Sequence, residues 1–314
     1  MIVTLTPNTT IDQTVFVASL THNKTLRATH SVYSMGGKPT DASYILGELG
    51  ISSQALGFAA GALGEKVRQM LSAKGVTVDF VAVNGESRMN VVIIAEDEGS
   101  QTTITTSTLD VTPAHIDTLR ARFIAALEKG ASVVVMGGTL PVAVPPAFYT
   151  EFIALAKARG VTVIFDAADA NLRAGLESAP HFIKPNRDEL SALMGAPVST
   201  LDEAYQAGRQ LVTRYGTQPI ITLGKDGALA VLHDRAYYVP PLEIEVVSAA
   251  GAGDAMLAGL AAALGRGQTI EEGLRLGTAA AAAVCLMPGT AECRREDVER
   301  LLPLVCLEDY PPTE

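Results

Sequence analysis

From Pro113 onward the sequence alternates strictly between continuous apolar runs and helix-like segments, and that rhythm leaves few folds open. Helices are expected at 113–127, 145–158, 170–177, 187–194 and 201–214. Strands are expected at 132–136, 161–166, 182–184 and 219–223, with a hairpin-like pair at 228–232 and 236–239. Strands that are apolar throughout are covered on both faces, so this order implies a mainly parallel sheet between two helical layers. Residues 1–6, β-branched and apolar, read as a further buried strand. Ligands of such sheets bind beyond the carboxyl ends of the strands. Polar signals gather there: Gly137-Gly138, Asp166, Lys184-Pro185-Asn186, Thr222-Leu223-Gly224 and residues 248–254.

The first third of the chain is looser. A strand at 55–58 and a helix at 65–74 continue the main pattern. The β-prone pieces at 14–17, 31–33, 78–83, 90–95 and 102–106 have polar neighbours and turns at Asn84-Gly85 and Glu98-Gly99. They are expected to build a small half-exposed second sheet. With no linker or internal repeat, one domain over 1–314 is expected, with this β lid formed from segments near 10–35 and 87–107.

Two glycine turns each open a helix. The first, Gly36-Gly37-Lys38-Pro39-Thr40-Asp41, leads into a helix over 42–49, with Pro39 at its start and Gly50 just past its end. In the second, residues 247–260 read as the end of an extended segment, a tight Gly251-Ala252-Gly253 turn, and a helix beginning at Gly253 or Asp254. A turn without bulky side chains lets backbone amides approach a ligand, and a helix start aims its dipole at the same point. An acid beside such an anion hole suits phosphoryl transfer, in which the amides hold phosphate and the carboxylate deprotonates a hydroxyl. The alternative is that Asp254 only caps a helix. A cap needs neither glycine nor charge at four other strand ends, which favours chemistry.

Composition closes off other classes. A formal net charge of −10 and the lack of a long basic run argue against nucleic acid and anionic membranes as partners. The chain opens without a signal-peptide pattern, and its longest apolar stretch, 279–287, is too short to span a bilayer. Three cysteines and five scattered histidines have no metal-like spacing, so a reduced, cytoplasmic protein without a structural metal is expected. A Walker A loop is absent, since Gly37-Lys38 runs into Pro39. The dinucleotide fingerprint fails as well, with Met256 where its third glycine belongs.

Gly36-Gly37-Lys38 and Gly251-Ala252-Gly253-Asp254, about two hundred residues apart, resemble the two signatures of the PfkB/ribokinase family of carbohydrate kinases. The opening Thr6-Pro7-Asn8-Thr9-Thr10-Ile11-Asp12, with Lys184-Pro185-Asn186-Arg187-Asp188-Glu189-Leu190 and Thr222-Leu223-Gly224, is similar to its branch of 1-phosphofructokinases and tagatose-6-phosphate kinases. The resemblance implies a three-layer α/β/α ribokinase-like sandwich with a small β lid that often serves dimerisation. It implies transfer of the γ-phosphate of ATP, with Mg²⁺, to a hydroxyl of a phosphorylated ketohexose, fructose 1-phosphate or tagatose 6-phosphate. By the same resemblance Asp254 is the base, and Gly251, Ala252 and Gly253 form the anion hole. Asp12 and Asp41 face sugar hydroxyls. Lys38 and Arg88, with Gly138, hold the sugar's phosphate, and Gly37 and Asn90 lie on the same side. Lys184, Asn186, Thr222, Gly224 and Gly227 lie along the nucleotide, and Glu189 associates with Mg²⁺, directly or through water.

The chain departs from that branch at Pro39 and Asp41, where Gly-Gly-Lys-Gly-x-Asn is usual. Pro39 removes an amide, and an ionised Asp41 only accepts hydrogen bonds where asparagine also donates. Two other readings stay open on these residues: a kinase of a neutral sugar or nucleoside, and a non-catalytic sugar-phosphate-binding relative.

Overall fold

The computed structural model describes residues 1–106 and 108–311. Residue 107, at the end of the expected lid segment, and residues 312–314, at the end of the expected domain, lie outside the described residues. A ten-stranded sheet forms the middle layer. From one edge its strands are Glu308–Asp309, Ala236–Val239, Ala228–Val231, Gln218–Thr222, Phe182–Ile183, Thr162–Asp166, Val133–Gly137, Ile2–Thr6, Ser53–Ala59 and Thr77–Ala82. The strands from Gln218–Thr222 onward run parallel, and the first three are antiparallel.

The alternating side chains of these strands feed two separate cores, which is why the strands are apolar throughout. Val3, Leu5, Val134 and Met136 pack under the helices of the 113–215 segment. Ile2, Val133 and Val135 pack under Lys38–Glu48, Ala252–Gly265 and Ile270–Cys285. The result is the expected α/β/α sandwich. Strand order reverses between Ile2–Thr6 and Val133–Gly137, so a crevice opens at their carboxyl ends.

The two alanine-rich helices meet at backbone distance. A Cβ on Gly259 would fall 2.2 Å from the amide nitrogen of Gly277. A methyl group there would force the helices apart, an overpacking that costs about 1–3 kcal/mol. This contact fixes the helix that begins at Ala252 against the body of the molecule. Among the described residues no helix is long and apolar enough to cross a membrane.

A second, four-stranded sheet orders Ala28–Gly36, Thr10–Val17, Arg88–Ala95 and Ser100–Ile104. Only residues 7–9 separate Thr10–Val17 from the first strand of the main sheet, so the small sheet rises directly from the crevice. Two expectations need correction. Residues 78–83 do not belong to this small sheet: Thr77–Ala82 is the edge strand of the main one, parallel to Ser53–Ala59. The intervening helix, Gly61–Ala73, makes the pair a βαβ unit, which returns the strand beside its predecessor. Asn84-Gly85 is likewise not a hairpin turn, because it pairs with Leu109–Asp110.

The approach to the second glycine turn also differs from an extended segment. No strand lies between Val239 and the helix at Ala252 among the described residues. Pro240 and Pro241 end the antiparallel hairpin, and the following loop docks on a helix end through Val247 N–H donating to Cys285 O at 2.8 Å.

Candidate active site

The 251–254 turn forms as its composition requires. Gly251 caps the helix with φ 84°, a left-handed conformation, and a Cβ there would fall 2.3 Å from the Ala291 nitrogen. The helix starts at Ala252, one or two residues earlier than expected, because the Gly251 carbonyl already accepts from Asp254 at 3.1 Å and Ala255 at 3.0 Å. The Ala252 N–H turns back to Ala249 O at 3.3 Å. The Gly253 N–H makes no backbone hydrogen bond among the described residues and is left at the dipole's positive end. An anion brought to this turn would meet the Gly253 N–H.

Charged groups ring this point. Lys38 Nζ donates to Asp166 Oδ1 at 2.6 Å and to Glu189 Oε1 at 2.9 Å. Lys184 pairs with Asp166 Oδ2 at 2.9 Å and reaches the Gly253 backbone, its Nζ 3.1 Å from where a Gly253 Cβ would stand. Burial opposes the Lys38 charge, but Asp166, Glu189 and Asp254 outweigh it and hold the ammonium firmly protonated. Burial alone would raise Asp166, yet Lys184 and Lys38 hold its carboxyl below the usual range. Asp254, partly exposed at the helix start, is pushed up to about 7 by desolvation and by Asp166, with Lys38 and Lys184 pulling the other way. Such a carboxylate is a stronger base than an exposed one and is suited to accept a hydroxyl proton near neutrality.

Asp166 is the hub that the sequence reading left out of the site. Its signal was present, a lone carboxylate ending an apolar strand. Only the fold brings two lysines, 128 residues and 18 residues away in the chain, onto its two oxygens.

On the lid side, parallel pairing places Asp12 opposite Asn90 and Thr10 opposite Arg88. Asn90 Nδ2 donates to Asp12 Oδ1 at 2.8 Å. Gly36 leaves room for that carboxylate, since a Cβ would fall 2.3 Å from Asp12 Oδ1. Burial raises Asp12, partly offset by Asn90 and Arg88. Arg88 is 7% exposed and forms no ion pair among the described residues, and its Nε has no hydrogen-bond partner among them. Its Nη1 donates only to Thr106 O at 3.3 Å. A buried guanidinium with unspent donors is costly unless an anion joins it.

The structure divides two expected partnerships. Lys38 turns to Asp166, Glu189 and Asp254, whereas Arg88 faces Asp12, Asp41 and Tyr149, so the two cations do not form one clamp. Gly138 has no amide to spare: its N–H donates to Asp166 O at 2.8 Å, and its carbonyl accepts from Tyr149 Oη at 2.9 Å. Asp41 is 2% exposed. Burial, followed by the charges of Asp254 and Asp12, drives its carboxyl well above the usual range. In its protonated form Asp41 is a donor, as asparagine is. Pro39 costs no useful bond, because it occupies the first helical turn, where an amide has no intrahelical acceptor.

Across the helix start lies a cavity of about 810 Å³, of nucleotide size. Asn186, Thr222, Gly224, Gly227 and Gly253 line its polar side, and Val246, Met256, Ala282 and Cys285 its apolar side. The apolar wall carries no motif and was not foreseen. Gly227 takes φ 81° because a Cβ would meet Val239 O at 2.2 Å. Asn186 and Glu189 form a reciprocal capping box on Arg187–Met194, with Glu189 Oε2 accepting from Asn186 N–H at 2.8 Å. The Asn-x-x-Glu spacing thus has a structural use that leaves the other Glu189 oxygen on Lys38.

A parallel sandwich that ends in such a cradle, with a carboxylate between two differently lined recesses, has the parts that phosphoryl transfer between two small molecules requires. The model of the pfkB family carbohydrate kinases matches residues 6–297. The 1-phosphofructokinase of Borreliella burgdorferi is 32% identical over 313 residues, covering 98% of this chain and 99% of that one. The tagatose-6-phosphate kinase of Staphylococcus epidermidis is 31% identical over 278 residues, covering 88% and 89%. Phosphofructokinase-2 from Escherichia coli, solved with fructose-6-phosphate, superposes with a TM-score of 0.85 at 26% identity, covering 96% of this chain and 98% of that one. The chain belongs to the pfkB family of carbohydrate kinases, phosphotransferases that act on a sugar hydroxyl.

Proposed function

We propose that the protein transfers the γ-phosphate of ATP to a hydroxyl of a phosphorylated ketohexose, fructose 1-phosphate or tagatose 6-phosphate. The observation that carries this reading is Arg88, buried without an ion pair among the described residues at the foot of the small sheet. A phosphate already on the sugar supplies the anion that this guanidinium lacks, in a fork geometry that arginine favours. Relatives named for substrates of this class support it.

In this reading Asp12 and Asn90 orient the sugar, Gly253 N–H receives the transferring phosphoryl group, and Lys38 and Lys184 neutralise its charge. Asp254 takes the hydroxyl proton late, as the oxygen bonds to phosphorus. The nucleotide lies in the cavity along Asn186, Thr222, Gly224 and Gly227, its base against Val246 and Cys285. Among the described residues no cluster of three or more His, Cys, Asp or Glu forms a metal cage. That suits Mg²⁺, which keeps waters and binds chiefly to substrate phosphates. Glu189 would associate with it, directly or through water, and the ion would neutralise phosphate charge. The test is ADP release in the presence of Mg²⁺ across a panel of phosphorylated and neutral sugars. Release should depend on a ketohexose phosphate; a clear preference for neutral sugars would reject the reading.

One kinase domain over 1–314, with the small sheet as its lid, fits this role. We further propose that the lid joins two copies, because its outer strands expose Tyr33 and Ile104, 54% and 53% accessible. Light scattering should give the mass of two chains; a single-chain mass at micromolar concentration would remove the proposal. Cysteines that are all unpaired, and a reaction drawing on ATP, fit a cytoplasmic setting.

A further inference from the structure

The Lys38–Glu48 helix carries its fourth residue, Asp41, into the interior, where the carboxyl faces that of Asp254 within hydrogen-bonding reach. One oxygen of Asp41, Oδ1, is buried and finds no other partner among the described residues. Two carboxyl groups so placed cannot both be ionised without strong repulsion. We propose that Asp41 and Asp254 form a carboxyl pair that holds a single proton, sited on Asp41, and that Asp41 is thereby the positioning residue for the base. This rests on the kinase reading above.

The surroundings decide which member keeps the proton. Asp254 faces the cations Lys38 and Lys184, though Asp166 opposes them, and it lies at a helix N-terminus. Asp41 faces Asp12 as well as Asp254, with the Arg88 guanidinium opposing them. The negative charge therefore settles on Asp254, and the Asp41 hydroxyl donates to it, as an asparagine amide would. The donated bond fixes one Asp254 oxygen and leaves the other for the acceptor hydroxyl. In turnover the acceptor oxygen bonds to the γ-phosphorus, the bond from that phosphorus to the bridging oxygen of ADP breaks, and the hydroxyl proton passes to Asp254. Both carboxyls are then neutral, the state that desolvation favours. Release of one proton to solvent resets the pair.

The pair sets the pH dependence at both ends. Below about 7 Asp254 gains its proton and the base is lost, so the rate falls. On the alkaline side Asp41 loses its proton, the donated bond disappears, and a second negative charge appears beside the transferring phosphate, so the rate falls again. Asp41→Asn keeps the donor and cannot ionise. It should retain most of the turnover and the acid limb while losing the alkaline fall; Asp41→Ala should lose about 10²-fold. An inactive Asp41→Asn, or one with the wild-type bell, overturns the proposal. A second readout needs no sugar: ¹³C NMR of the aspartate carboxyl carbons of the whole protein, recorded above the Asp254 value of about 7. One carbon should resonate as a protonated acid and vanish in Asp41→Asn. If every aspartate resonates as a carboxylate, the pair does not exist, whatever the substrate. If no sugar supports turnover, the kinase reading fails while the NMR result still decides the pair.

Discussion

Asp254→Asn should lower kcat by about 10²–10⁴-fold, the usual worth of a general base, while nucleotide affinity stays near that of the parent protein. Asparagine matches the carboxylate in shape but takes no proton. The groups assigned to the nucleotide, Lys184, Thr222 and Gly224, keep their places because Lys184 is held by Asp166 and not by Asp254. Steady-state kinetics and calorimetric titration with ATP check the two halves separately. Turnover near normal would mean that Asp254 is not the base.

Arg88→Ala should act on the other substrate. Loss of a buried, charge-assisted contact to phosphate costs about 2–5 kcal/mol, so KM for the ketohexose phosphate should rise by about 10²-fold, with KM for ATP little changed. The variant also removes the positive charge that offsets the burial of Asp12, so the Asp12 carboxyl should move further up. An equal rise in both KM values would place Arg88 in the fold's support instead of in the sugar site.

The sandwich was legible because the two-sided burial of its strands forbids apolar–polar alternation, and runs such as Val133–Gly137 carry that mark openly. The two glycine turns were legible for a related reason: residues at Gly36 and Gly251 have no room for a Cβ. What stayed hidden depends on contacts distant in sequence. Thr77–Ala82 is as β-prone as the lid strands, and only the helix before it decides which sheet it joins. The direction in which Lys38 points is set by Asp166, 128 residues away. The proton on Asp41 was hidden most deeply, since an aspartate in a sequence reads as a charge, and only burial between Asp254 and Asp12 makes it an acid. The apolar wall of the cavity beside the helix start at Ala252, with Val246 and Cys285, has no residue type that separates it from ordinary core.

The most direct test compares kcat/KM for fructose 1-phosphate or tagatose 6-phosphate with that for the matching unphosphorylated sugar, in the parent protein and in Arg88→Ala. A site in which Arg88 reads the sugar's own phosphate should favour the phosphorylated sugar by about 10²-fold or more, and the ratio should collapse in the variant. Equal use of the two sugars by the parent protein, or a ratio that Arg88→Ala leaves intact, would contradict it.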